Sequence, residues 1–264
     1  MQLEYDKEIL IRILEAVELK GKYFSSGSLK SDSLGEYVKI VPINNHWKTG
    51  YHFMNGDNQT FVSHYMPDII EEDDGISVVL EIPKLMKYLK TMSGRIRLNI
   101  DEVCNISSEN KEVVIPVSVL HPNDVAISRL FECTIEKTFT DELEPIMWGN
   151  DGTTSQFEIE NAFQITGSKL ISIMNSCESV GHGVYTFYHS GNTLAIMSSI
   201  GNEHYIERVN GINSIGAATV SFTGPIHKAL DKLSMCNVYF NDDSLMLIIS
   251  GLVTIVRAPY VVVE

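Results

Sequence analysis

The chain is poor in cysteine, in positive charge and in the glycine patterns that cradle phosphate or expose a nucleophile. Its four cysteines (Cys104, Cys133, Cys177, Cys236) are spread over 264 residues with no C-x-x-C pair. That spacing argues against a disulfide framework and a clustered zinc site, so buried free thiols are expected. The eight histidines are equally scattered. His182 and His189 flank an expected turn and strand with no carboxylate at ligand spacing, and no metal is expected. Lys and Arg number 20 against 34 Asp and Glu, a formal net charge of -14. A body of that sign does not grip nucleic acid over its whole surface, but it leaves room for a local basic stripe. No apolar stretch approaches the roughly 20 residues that span a bilayer. Residues 1–7 are polar and acidic, unlike a secretory signal, so the protein is expected to stay where it is made.

Signatures of chemistry are missing as well. There is no G-x-x-x-x-G-K-[ST], no G-x-S-x-G, no H-E-x-x-H and no dinucleotide-binding glycine fingerprint. Gly181-His-Gly183 is a lone glycine pair at a turn, and no carboxylate pair stands out for acid–base work. The run Glu71-Glu-Asp-Asp74 is sequential and not at calcium-loop spacing, so it reads as a solvated turn. Neither an enzyme nor a cofactor is expected.

What is present is one unit written twice. In the first half, residues 77–82 read as a strand, 83–92 as a helix, and 95–100 and 111–119 as strands. In the second half the strand is 218–222 and the helix 224–233, followed by strands at 237–240, 245–249 and 252–258. Both helices open on proline, Pro83 and Pro225, where its missing N–H costs nothing. Each half begins with another helix, 7–19 and 168–178. In the first of these Ile9, Leu10, Ile13, Leu14 and Val17 share a face. Short strands with turn signals fill the space between, including a hairpin of 185–188 with 193–197 around Ser190-Gly-Asn192, then 205–209 after Gly201-Asn202. The expected fold class is α+β: two repeated helix–sheet–helix–sheet domains, 1–135 and 157–264. Residues 136–156 join them as a polar, glycine-bearing connector that holds one apolar island, Ile146-Met147-Trp148.

Helical geometry sorts the second helix of each half into two faces. In 83–92, Leu85, Tyr88, Leu89 and Met92 form the apolar stripe, with Lys84, Lys87 and Lys90 opposite. In 224–233, Ile226, Ala229, Leu230 and Leu233 are expected inward, with His227, Lys228 and Lys232 outward beside Asp231. A single lysine-bearing face is ordinary solvated surface; the same face at equivalent places in an acidic protein points toward phosphate contact. The first helices fit less well. Residues 7–19 expose Arg12 but also Glu8, Glu15 and Glu18, and 168–178 exposes Ser172, Asn175 and Ser176 with Lys169 at the margin.

The doubled unit with its acidic connector resembles the DNA sliding clamps of the proliferating cell nuclear antigen type. The local matches are Val253-Thr-Ile-Val-Arg257 with Ala258-Pro259, the preceding Asp242-Asp-Ser-Leu-Met-Leu-Ile248, residues 222–240, and residues 80–100 with Lys87 and Lys90. Residues 22–76 match only as generic strands and turns, and His46-Trp47 and Asn55-Gly56 have no counterpart, which suits a phage, viral or archaeal member. The resemblance implies antiparallel sheets outside and helices lining a hole. It implies a polymerase processivity factor that encircles double-stranded DNA without reading its sequence. Arg12, Lys84, Lys87, Lys90, Lys169, His227, Lys228 and Lys232 would then face DNA. Ile146, Met147, Val256, Ala258, Pro259 and Tyr260 would form the groove for polymerase and other client peptides, although the apolar island also reads as a linker anchor. Family rings hold about six units, so three copies close a homotrimer, with residues 113–119 of one paired to 205–209 of the next. A clamp loader would be a further partner. The site of action would be cytoplasmic, at a nucleoid or viral replication site, or nuclear in a eukaryote. Two other readings stay open: a monomeric or open-dimer viral processivity or transcription accessory factor, and a β-rich structural protein without a DNA role.

Overall fold

A computed structural model describes residues 1–18, 36–44, 49–55, 60–65, 77–119, 143, 146–148, 157–180, 184–200, 202–223 and 226–260. Pro225, Cys133, His182, His46-Trp47, the run at 71–74 and most of the connector lie outside them. The first half runs β1 (Gln2–Asp6), α1 (Lys7–Val17), β2 (Tyr37–Asn44), β3 (Thr49–Asn55), β4 (Thr60–Tyr65), β5 (Val78–Glu81), α2 (Ile82–Leu89), β6 (Arg95–Ile100), β7 (Val103–Ser108), β8 (Lys111–Pro116) and β9 (Ser118–Val119). A short pair, β10 (Ile146–Trp148) and β11 (Phe157–Ile159), follows. The second half runs β12 (Ala162–Thr166), α3 (Gly167–Val180), β13 (Val184–Ser190), β14 (Thr193–Ile200), β15 (Glu203–Asn210), β16 (Asn213–Ile215) and β17 (Ala217–Thr223). It closes with a 3-10 turn (Ile226–Ala229), β18 (Met235–Tyr239), β19 (Met246–Ser250) and β20 (Val253–Arg257).

Each half builds two antiparallel sheets. The first gives β1-β6-β7-β8 and the set β4-β3-β2-β5; the second gives β12-β18-β19-β20 and β15-β14-β13-β17. Strand β20 pairs with β4, Ile255 opposite Val62, and fuses one sheet from each half into a single ten-stranded sheet. Beyond this joint β8 and β15 are left as the outer strands of their four-stranded sheets.

Alternation decides which strand face is covered. Strand β6 exposes Arg95, Arg97 and Asn99 and buries Ile96, Leu98 and Ile100, a sheet wet on one side. Strands β19 and β20 bury every residue, because helices cover one face and a second apolar cluster the other. The helices share a single side. Leu10, Ile13, Leu14 and Val17 of α1, Leu85 and Leu89 of α2, and Leu170, Ile173, Met174 and Cys177 of α3 belong to one core with Ile226 and Leu230. Helix α1 is capped by Asp6, whose carboxylate accepts from the Glu8 N–H at 2.9 Å. Pro83 lies in the first turn of α2, as its missing donor allows. Lys7 Nζ donates to the Met92 carbonyl oxygen just beyond that helix, at 2.9 Å, where helix dipole and orphan carbonyls favour a cation. Cys104, Cys177 and Cys236 are buried free thiols, and burial pushes them up to about 12, 11 and 11.

Three expectations are corrected. Strand β7 lies between the two strands expected after α2, so that half carries a three-stranded meander. The expected strand 111–119 breaks after Pro116, whose missing N–H ends the ladder; Ser118–Val119 instead pairs with β5 in the ten-stranded sheet. Of the expected helix 224–233, the described residues form a single 3-10 turn. The Asp231 carboxylate accepts from the Leu233 N–H at 3.0 Å and from the Ser234 hydroxyl at 2.6 Å. This local side-chain turn competes with helix continuation. Leu233, expected in the core, is 96% exposed as a result.

Candidate nucleic-acid interface

The helical segments touch in the order α2, α1, 3-10 turn, α3, forming one continuous layer across both halves. Side chains that leave this layer away from the sheets are the candidates for phosphate contact. On α2, Lys84, Lys87 and Lys90 are all exposed, on the side opposite buried Leu85 and Leu89. Lys84 pairs with Glu81 at 2.5 Å, and that carboxylate raises the lysine's pKa. Lys87 Nζ stands 5.6 Å from the Tyr88 ring centre. Among the described residues no carboxylate pairs with Lys87 or Lys90. On α1, Arg12 is exposed, donates from Nε to the Glu8 carbonyl oxygen at 3.3 Å, and helps hold Asp231 below the usual carboxylate range.

The second half is more nearly neutral. Lys169 on α3 pairs with Glu207 of β15 at 2.5 Å, and Glu207 also accepts from the Tyr205 hydroxyl at 2.7 Å. The hydrogen bond from Lys169, then that from Tyr205, lowers the pKa of Glu207. Lys228 donates to Glu178 at 3.2 Å and lies 3.4 Å from Asn175. His227, expected to face outward, is 1% exposed instead. In a 3-10 turn residues three apart eclipse, so Ile226 and Ala229 share one buried direction while His227 and Leu230 share another. The imidazole packs against α3, with Nε2 3.1 Å from Asn175 Oδ1 and 3.5 Å from Glu178. Burial, with Lys228 adjacent, pushes its pKa down to about 3. Lys232 is exposed and, among the described residues, pairs with no carboxylate. Of the eight expected phosphate contacts the helical layer thus presents six outward in the open, holds Lys228 half-buried, and removes His227. The counter-ions Glu178 and Glu207 were not anticipated, since their partners lie on other elements; no spacing in the sequence signals them.

The opposite face of the ten-stranded sheet carries the candidate partner groove. Val41, Met54, Tyr239, Leu247, Ile249 and Val256 form an apolar cluster there, with Leu143 and Leu245 packed on it. Val256 is 2% exposed, so it belongs to the groove floor. Ala258, Pro259 and Tyr260 follow β20 directly and are half-buried. The Tyr260 N–H donates to the Ser221 carbonyl oxygen at 2.7 Å and fastens the tail beside β17. The backbone of Ile146–Trp148 pairs with Phe157–Ile159, which brings the apolar island to the start of the second half. One sequence signal for the floor existed: the unbroken apolar runs of β19 and β20 mark strands covered on both faces.

Among the described residues no group of His, Cys, Asp and Glu is placed to hold a metal ion, and no helix is long and apolar enough to cross a membrane. No protein-family model matches the sequence, and comparison with curated proteins finds no match. Solved structures do match in shape. The A. fulgidus PCNA, solved with the C-terminal region of FEN-1 bound, superposes with TM-score 0.61 at 10% identity over 100% of this chain and 99% of that one. Entamoeba histolytica proliferating cellular nuclear antigen gives TM-score 0.59 at 10% identity, over 98% of each chain. The Caulobacter crescentus beta sliding clamp gives 0.62 at 10% identity, over 99% of this chain and 66% of its own. In architecture the chain has the DNA sliding clamp fold along its whole length.

Proposed function

We propose that the chain is a subunit of a DNA sliding clamp, a processivity factor that encircles duplex DNA and tethers a polymerase and other replication proteins. The observation that carries this reading is the helical layer, continuous over two repeats of a clamp fold, with α2 presenting three exposed lysines away from the sheets. Phosphate contacts from such a layer are electrostatic and independent of sequence. Arg12, Lys84, Lys87, Lys90, Lys169 and Lys232 make them, with Lys228 partly neutralised. The protein does no chemistry of its own; opening and loading belong to a separate clamp loader. The two domains are 1–135 and 157–264, with 136–156 as connector. Client peptides dock over Val256, Ala258, Pro259 and Tyr260, with Ile146 and Met147 on the connector side. Three copies close the ring through the outer strands β8 and β15 of neighbouring subunits. A monomeric accessory factor would need a broad basic face to stay on DNA, which a formal charge of -14 disfavours.

Solution mass together with a primer-extension assay tests this. A mass three times that of the chain, and longer products from a polymerase supplied with the protein and its loader, are expected. A monomer at tens of micromolar that leaves product length unchanged overturns the reading.

A further inference from the structure

The joint inside the chain is a template for the joint between chains, and this inference rests on the ring just proposed. The core row of the ten-stranded sheet reads Phe163, Val238, Ile248 and Ile255 on one side of the β20–β4 joint. It continues as Val62, Phe53, Ile40 and Val78 on the other. The two remaining sheets hold the equivalent half-rows. Leu3, Leu98, Ile106 and Val113 end at the outer strand β8. Glu207, Ile196, Phe187 and Val220 begin at the outer strand β15. The hairpins fix the alignment: β7–β8 closes on Ser108 opposite Lys111, and β19–β20 on Ser250 opposite Val253.

We propose that β15 of a second copy adds to β8 in the register that β4 uses against β20. Val113 then stands opposite Glu207 of the neighbouring copy, Val114 opposite Ile206, Glu112 opposite Arg208 and Ile115 opposite Tyr205. The faces agree without adjustment. Val113, Tyr205 and Val209 pack toward the helix-side core, and period-two alternation turns Glu112, Val114, Ile206 and Arg208 to the other side. Val114, 57% exposed in the middle of an unpaired strand, gains an apolar cross-strand neighbour. Glu112 and Arg208, both exposed, become an opposite-charge pair on the outer face. The internal joint has Thr254 and Ser63 at that place. The charge pair thus distinguishes the joint that must form between copies from the one within the chain, and admits a single register.

The test is a charge swap with a cross-link. At about 0.15 M salt, Glu112→Arg and Arg208→Glu should each weaken association roughly tenfold in sedimentation, and the double variant should recover it. Val114→Cys with Ile206→Cys should form an inter-chain disulfide under mild oxidation, since directly opposed strand residues bring Cβ atoms within roughly 5.5 Å. Each single cysteine variant should not. Oligomers that form normally but show neither rescue nor the cross-link overturn the register and leave the ring standing. A wild-type protein that stays monomeric at every concentration overturns both.

Discussion

Two buried histidines should make the fold sensitive to mild acid well before its carboxylates titrate. His52 on β3 is fully buried, and burial holds it at about 3; His227 is held at about 3 by burial and by Lys228. In the unfolded chain both return to about 6.5. Their folded pKa is depressed, so the stability that comes from keeping them neutral is complete above pH 6.5 and is lost as pH falls toward 3. Between pH 7.5 and 5.5 each histidine costs about 1.4 kcal/mol by linkage, and the two together about 2.7 kcal/mol. Glu4, Glu207 and Asp231 also have lowered pKa values, so their loss comes on the same acid side but only below the ordinary carboxylate range. The interval from 7.5 to 5.5 therefore isolates the imidazoles. Urea denaturation at both pH values measures the difference directly. His227→Gln, neutral throughout and still able to bond Asn175, should remove about half of it, and His52→Gln with His227→Gln nearly all. Equal stability of the wild type at the two pH values, or an undiminished difference in the double variant, would refute the reasoning.

Other perturbations address the joint, a close approach and the helical layer. Ile255→Ala empties a fully buried site opposite Val62 and should cost about 2–5 kcal/mol in chemical denaturation. Leu252→Ala, at an exposed turn nearby, should stay within about 0.5 kcal/mol. Gly167→Ala would drive a methyl into the Asp231 carbonyl oxygen, which is backbone and cannot turn aside; a loss of about 1–3 kcal/mol by thermal unfolding is expected. Replacing Lys84, Lys87, Lys90 and Lys232 together by Ala should flatten the salt dependence of DNA retention. The slope of log K against log salt should fall by up to about 3.6, from roughly 0.9 per phosphate contact. An unchanged slope would remove these lysines from the interface.

Much of the architecture could be read from residue patterns, and the failures have local causes. Period 3.6 in Leu10, Ile13, Leu14 and Val17 marks α1, and Pro83 marks the start of α2, because those signals lie within one element. The second half of 224–233 failed because Asp231 reads as a helix-surface acid unless its hydrogen bonds to Leu233 and Ser234 are known. From that one misreading follow both the outward placement of His227 and the inward placement of Leu233. Strand β7 was missed because Asn105, Ser107 and Ser108 dilute its alternation, although Cys104 and Ile106 are buried. The pairing of Lys169 with Glu207 and of Lys228 with Glu178 joins residues 38 and 50 positions apart, and no periodicity reports contacts between elements.

The repeat also explains why one subunit offers one partner groove and not two. On the face away from the helices, the sheet β1-β6-β7-β8 carries the row Gln2, Asn99, Asn105 and Val114. The equivalent row of β12-β18-β19-β20 is Ala162, Tyr239, Leu247 and Val256. The lattice positions correspond one for one, yet the first row is polar up to its edge and the second is a buried apolar floor beneath Leu143 and Leu245. A covering segment gains roughly 25 cal/mol per Å² of apolar surface it removes from water, whereas over Asn99 and Asn105 it would strip hydration from amides with no guaranteed partners. The connector therefore settles on the second repeat, and clients follow it there. The one apolar member of the polar row is Val114, which lies on the open edge where a neighbouring copy would cover it. Its exception to the row is what a sheet continuing into the next subunit requires.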